Sequence, residues 1–458
     1  MDHDLGPVRS AVSGMAWPGL PGGAGDTLLA VLHQLDQTQW WTPGDLRRHQ
    51  LRQVGSLLRH AHETVPIYRE RLAGAGYRPD MDVTDDWFAS LPRVTRADVH
   101  ENGDAFFSTR VPQSHVPVTE GQTSGSTGTP IRFLSTEVTR FFWQAFNLRD
   151  HLWHRRDTGL KLLGIRPDRG PRSDAGSSSA GWGGLLDELY ATGASGILHS
   201  ANTIDRQLEW LVEQDPDYLL TLATNLHELA REAHRRGVRF PRLREARTYG
   251  DMLRPEVRAE CMALLGVKVV DMYTCQEAGY LALQCPEHDH YHVQSENAVV
   301  ELLDEGGRPC AAGQTGKVVI TTLHNFAMPL IRYEIGDFAE AGAPCVCGRG
   351  LPVIRRVLGR ERNLAIAPDG SKYYPSFSAE VWSGIAPIRQ IQLVQKSRTH
   401  IEVRMAMGRQ LRDDEARQLT EALRRSLGHP YEFTYVSMDS IPRSPSGKYE
   451  DFVAEAGV

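Results

Sequence analysis

The chain has 458 residues, more than one hydrophobic core usually serves, so at least two domains are expected. Its 41% hydrophobic and 24% charged content is that of a water-soluble globular protein, and a net charge of -6 points away from a nucleic-acid partner. No apolar run approaches the roughly 20 residues of a membrane-spanning helix, and the N-terminus, which carries Asp2 and Asp4, has neither a basic nor an apolar leader segment, so no membrane partner and a cytoplasmic location are expected.

Residues 1–25 are rich in Gly and Pro without periodicity and read as a poorly ordered extension. From 27 to 76 the pattern turns helical, with Leu51, Val54, Leu58 and Ala61 on one apolar stripe. The stretch 120–133 then reads EGQTSGSTGTPIRF. Its core, Thr123, Ser124, Gly125, Ser126, Thr127 and Gly128, alternates hydroxyls with glycines, so converging backbone amides and rotatable hydroxyls can wrap an oxyanion. Val116, Val118 and Thr119 before it, and Ile131 and Phe133 after it, suit a β-hairpin. Thr129 stands where a P-loop needs lysine, and no GxGxxG occurs there, so two familiar phosphate fingerprints are excluded. A solvated Ser/Gly linker is the alternative reading of such composition. Between 140 and 241 helical segments alternate with short β-prone stretches, the rhythm of an α/β architecture. The polar loop 176–184 within it suits a lid, a pocket wall or an ordinary surface loop.

Further on, 248–251 (TYGD) precedes a helix near Pro255, and the buried-strand pattern VKVVDM leads into Tyr273-Thr274-Cys275-Gln276-Glu277. Loops at strand C-termini of open α/β sheets carry ligands. Asp337 follows a strand pattern and offers a carboxylate of the kind that receives ribose hydroxyls. The six cysteines are unevenly spaced, which favours thiols or metal ligands over disulfides. Cys285 and His292 bracket CPEHDHYH, and Cys345 with Cys347 follow a β-rich insert, a donor set suited to structural Zn²⁺ in which His288 and His290 compete for the imidazole place. Beyond residue 390, strand alternation and the stripe Ala416, Leu419, Leu423 and Leu427 predict a small α+β module, closed by a Pro/Ser/Gly-rich loop that presents Lys448.

Taken together, the loop 123–128, the LPRVTRADV segment, the PLIRYEIGD segment and the PRSPSGK loop resemble the adenylate-forming superfamily, in its phenylacetate–CoA ligase branch. The resemblance covers about residues 45–452 and implies an α/β fold: a large multi-sheet N-terminal adenylation domain (26–359) with a smaller mobile α+β C-terminal domain (360–458). It implies that 123–128 holds ATP phosphates, that Gly250 and Asp251 lie beside adenine, and that Tyr273 borders the base. It further places Thr274 at the α-phosphate, Glu277 on Mg²⁺, Asp337 on ribose, Arg360 at the closing edge of the large domain, and Lys448 as catalytic lysine. Relatives with the same Cys, His and Cys-x-Cys arrangement strengthen the zinc reading for Cys285, His292, Cys345 and Cys347. The implied reaction is ATP-dependent activation of an aryl or small organic acid to an acyl-adenylate, then transfer to CoA. The run Arg360-Glu361-Arg362-Asn363 departs from the usual hinge, so an amine or a carrier-protein thiol stays open as acceptor, as does a non-catalytic nucleotide-binding homologue.

Overall fold

The computed structural model describes residues 7–123, 130–167, 173–360, 363–370, 372–373, 375, 382, 384–441 and 450–455. Of the predicted site residues, Ser124, Gly125, Ser126, Thr127, Gly128 and Lys448 lie outside them.

The predicted helical stretch forms Ala24–Thr38, Pro43–Thr64 and Pro66–Gly74. Thr42 caps the second by accepting from the Asp45 amide, and Pro43 presets its first turn. Pro66 forces Val65 into an extended conformation, which ends that helix and starts the next. Of the stripe read from the sequence, Val54, Leu58 and Ala61 are fully buried and Leu51 partly so, and Leu57 joins them in the core. Burying each such side chain stabilises by about 1.5–3 kcal/mol, which ties these helices to the sheet beneath. Residues 7–23, expected as a loose extension, make defined contacts: the Arg9 amide donates to Leu189 O at 2.7 Å and that of Ala11 to Leu20 O at 2.7 Å.

Among the described residues the strands form one twelve-stranded sheet, one four-stranded sheet and two hairpins. In the large sheet Ser195–His199, Leu162–Arg166, Tyr218–Thr221, Glu245–Tyr249 and Lys268–Cys275 lie side by side and parallel. Helices Ile204–Gln214, Ala223–Arg236 and Pro255–Leu265 connect them and bury Leu208, Leu226, Leu229 and Cys261 against the strands. From Lys268–Cys275 onward the sheet continues antiparallel through Gly279–Gln284, Tyr291–Val293, Val353–Arg360, Tyr333–Ala341, Thr315–Thr322 and Ala298–Leu303. The N-terminal helices cover this second half.

The smaller sheet comprises Glu432–Met438, His400–Ala406, Gln390–Gln395 and Phe452–Ala454, crossed by helix Asp413–Leu427. Leu419, Leu423 and Leu427 pack on Leu393, Val403 and Phe452 in a core of their own. Among the described residues no helix is long and apolar enough to cross a membrane.

Candidate active site

A cavity of about 1870 Å³ opens at the C-terminal ends of the parallel strands, where an open α/β sheet places its ligands. Helix Glu137–Trp153 walls one side, and Gln390, Asp439 and Asp451 of the C-terminal module close another. Of the predicted site residues, Thr123, Gly250, Asp251, Tyr273, Thr274, Glu277, Asp337 and Arg360 all line it.

Thr123 sits at the end of a hairpin in which Val118–Gln122 pairs antiparallel with Arg132–Thr136. Its amide donates to Ile131 O at 2.9 Å, and its hydroxyl accepts from the Ile131 amide at 3.0 Å and from Arg96 at 2.9 Å. These bonds pinch the hairpin shut and bring the Arg96 guanidinium to the cavity. Sequence reasoning used the LPRVTRADV segment that contains Arg96 but gave this residue no role.

Tyr273, Asp337 and Arg360 come from three neighbouring segments and join in one chain. The Tyr273 hydroxyl donates to Asp337 Oδ2 at 2.8 Å, and Arg360 Nε lies 2.8 Å from Asp337 Oδ1. Arg360 also donates to Ile335 O, so the carboxylate is fixed from both sides while each oxygen keeps acceptor capacity. Register explains the meeting, because Asp337 pairs directly with Arg360 across the sheet. Thr274 stands at the bulge near the end of Lys268–Cys275, and Glu277 on the turn that follows. Burial raises the Glu277 carboxyl above its ordinary range, against its own amide and the positive charge of Arg360. Among the described residues no side-chain hydrogen bond or ion pair ties up that carboxylate, so it suits a hard cation held jointly with phosphate oxygens.

Asp251, which lines the cavity, also accepts from the Ala223 amide at 2.6 Å, the Thr224 amide at 3.1 Å and the Thr224 hydroxyl at 2.6 Å. It therefore caps helix Ala223–Arg236, whose own N-cap, Leu222, offers no side-chain acceptor. Gly250, at φ +76°, supplies the turn that delivers it.

The loop 176–184 proves to be an edge strand and a pocket wall. Ser177–Ser179 pairs antiparallel with Ser195–His199, and Trp182, Gly183 and Gly184 line the cavity. Gly184 lies at φ +64°, a backbone conformation that favours glycine.

Outside the cavity, Cys285, His292, Cys345 and Cys347 bring four donor atoms within 4.8 Å of one another. Cys285 Sγ lies 4.0 Å from Cys345 Sγ, and Cys347 Sγ lies 3.4 Å from His292 Nε2. Burial and Arg349 push the His292 imidazole down to about 3, which keeps it neutral. Against burial, Arg349 draws the Cys347 thiol below its ordinary range. A neutral imidazole and three thiols fit a tetrahedral Zn²⁺. His288 and His290 fall outside this group; the His290 ring centre is 5.4 Å from that of His292. The hairpin Gly279–Gln284 with Tyr291–Val293 places the first pair, and the approach to Val353–Arg360 brings back the second.

Similarity to known proteins agrees with this geometry. A family model described as the CapK C-terminal domain matches residues 366–455. A solved 2-hydroxyisobutyryl-CoA ligase, in the postadenylation state with its acyl-AMP, superposes with a TM-score of 0.68 at 19% identity over 89% of both chains. The fold is thus that of the adenylate-forming CoA ligases. Along most of its length the chain is also similar to phenylacetate–CoA ligases: 26% identical to that of Pseudomonas putida over 72% of this chain and 74% of the relative, and 23% identical to that of Escherichia coli K12 over 90% and 95%.

Proposed function

We propose that this protein activates a carboxylic acid with ATP and transfers the acyl group to CoA. The observation that carries this reading is the convergence of Glu277, Thr274, Tyr273, Asp337 and Arg360 on one cavity at the strand C-termini, in a chain similar to CoA ligases. A carboxylate oxygen of the acid attacks the α-phosphorus, the bond to the bridging oxygen breaks, and pyrophosphate leaves. The CoA thiol then loses its proton and attacks the acyl carbon, and AMP departs with the bonding pair. Neither step needs a protein nucleophile, so the protein acts by positioning and by neutralising charge.

Gly250 and Tyr273 border the adenine in this reading, Asp337 receives ribose hydroxyls, and Arg360 orients Asp337. Thr274 faces the α-phosphate, and residues 123–128 hold the outer phosphates. Glu277 would hold Mg²⁺, which when bound supplies positive charge at the phosphates. Lys448 balances charge at the reacting phosphate. Four protein donors leave no open position on the zinc site, so its role is structural. We place the domain boundary near residue 360, with 26–359 as the adenylation domain. Across it Gln390 donates to Glu228 at 3.0 Å, and Arg254 pairs with Asp451. The test is acid-dependent exchange of pyrophosphate into ATP, followed by mass analysis of products formed with CoA, with amines and with carrier protein. Exchange with an acyl-CoA product supports the proposal; absence of exchange with every acid, with ATP binding intact, leaves a nucleotide-binding homologue.

A further inference from the structure

One wall of the cavity combines aromatic rings with buried polar groups. Trp182, Tyr249 and Tyr280 supply the rings. Gln144, Asn147 and His151 lie at helical spacing on one face of Glu137–Trp153 and turn toward the cavity, opposite Arg247.

The hydrogen bonds orient these groups. Asn147 Oδ1 accepts from the Tyr280 hydroxyl at 3.2 Å and from Arg247 at 3.3 Å, which leaves its Nδ2 as the free donor. Arg247 Nη1 lies 3.3 Å from His151 Nε2. A guanidinium only donates, so Nε2 accepts and the imidazole proton sits on Nδ1. Burial and the Arg247 charge keep that ring neutral. His151 and Arg247 are 1% and 2% exposed, and His151 Nδ1 and Arg247 Nε are buried with no partner. Charge is balanced behind them: Asp150 pairs with both Arg156 and Arg247, and Glu245 with Arg156. Asp150 Oδ1 is also buried without a hydrogen-bond partner, so with Asn147 Nδ2, His151 Nδ1 and Arg247 Nε against it this wall holds unmade donors in excess of acceptors, without excess positive charge. A bare arene would leave the donors unmade, and a second carboxylate would bury an uncompensated negative charge.

We propose that the acid is an aromatic carboxylic acid whose ring carries a neutral oxygen substituent, hydroxyl or alkoxy, received by Asn147, His151 and Arg247. The inference rests on the acid-activation reading above. Its test is ATP–pyrophosphate exchange with matched series: benzoate and phenylacetate, their ring-hydroxylated and methoxylated derivatives, and the corresponding dicarboxylates. The best oxygenated acid should exceed its unsubstituted parent by about 10²-fold or more in kcat/KM, as expected where a buried site is built to hydrogen-bond its substrate. That ratio should fall at least about tenfold in Asn147→Leu and in His151→Phe, each verified as folded by thermal melting and by ATP binding. A parent acid that reacts as well as its oxygenated derivatives, or a dicarboxylate that reacts best, overturns the assignment and leaves acid activation standing. Exchange with none of the acids overturns acid activation, and this inference with it.

Discussion

Replacing Asp251 by Ala should loosen one helix end before it affects chemistry. The carboxylate receives three hydrogen bonds from Ala223 and Thr224 at the N-terminus of Ala223–Arg236. Loss of a side-chain cap costs about 0.5–2 kcal/mol, and loss of a negative charge at a helix N-terminus about 0.3–1 kcal/mol. The sum, about 1–3 kcal/mol, corresponds to amide exchange roughly 5- to 150-fold faster over the first turn if exchange proceeds through local opening. Hydrogen exchange read by mass spectrometry on peptides from this helix measures it. Asp251→Asn keeps one acceptor and loses the charge, so it should fall between wild type and Asp251→Ala. The KM for ATP should rise only modestly, through the shifted Gly250 turn. Unchanged exchange in the helix together with a large rise in that KM would refute the capping role and make Asp251 a direct nucleotide contact.

Protein purified without added zinc should contain about one equivalent, and Cys347→Ser should lose most of it along with thermal stability; a metal-free protein that resists chelators would leave an ordinary thiol cluster. Lys448→Ala should slow acyl-adenylate formation by about 10²- to 10³-fold, by analogy with the loss of one charge-stabilising donor, while synthetic acyl-adenylate is still passed to CoA; an equal fall in both steps would contradict a role confined to adenylation. Burial pushes His324 down to about 4 from the usual 6.5, so the fold holds it neutral and the unfolded chain protonates it first. The stability it contributes is full above pH 6.5 and is lost as pH falls toward 4, and His324→Phe, which keeps the stack on Phe142, should flatten that acid limb in urea unfolding at a series of pH values.

The elements best read from sequence were those whose signal is local. The stripe Val54, Leu58 and Ala61 needs only helical periodicity, and the hairpin around 123–130 needs only alternation with a Gly/Pro turn. The zinc candidates were legible as a donor set, while the choice of His292 over His288 and His290 depended on strand register, which spacing along the chain does not give. Asp251 entered through its resemblance to a family element beside adenine; that it also satisfies amides of a helix that begins 28 residues earlier is announced by no local pattern. Arg96 and Arg247 were missed for the same reason. The polar side chains Gln144, Asn147 and His151 recur at helical spacing along Glu137–Trp153, a pattern the sequence holds but which only the cavity lining makes meaningful.

The most direct measurement follows oxygen. An accepted acid labelled with ¹⁸O in its carboxylate is incubated with ATP and CoA, and the nucleotide product is analysed by mass spectrometry. Attack of the carboxylate on the α-phosphorus predicts AMP carrying one ¹⁸O from the acid, in step with thioester formation. Label in orthophosphate with ADP as co-product, or thioester formed with unlabelled AMP, would contradict an acyl-adenylate and the account built on it.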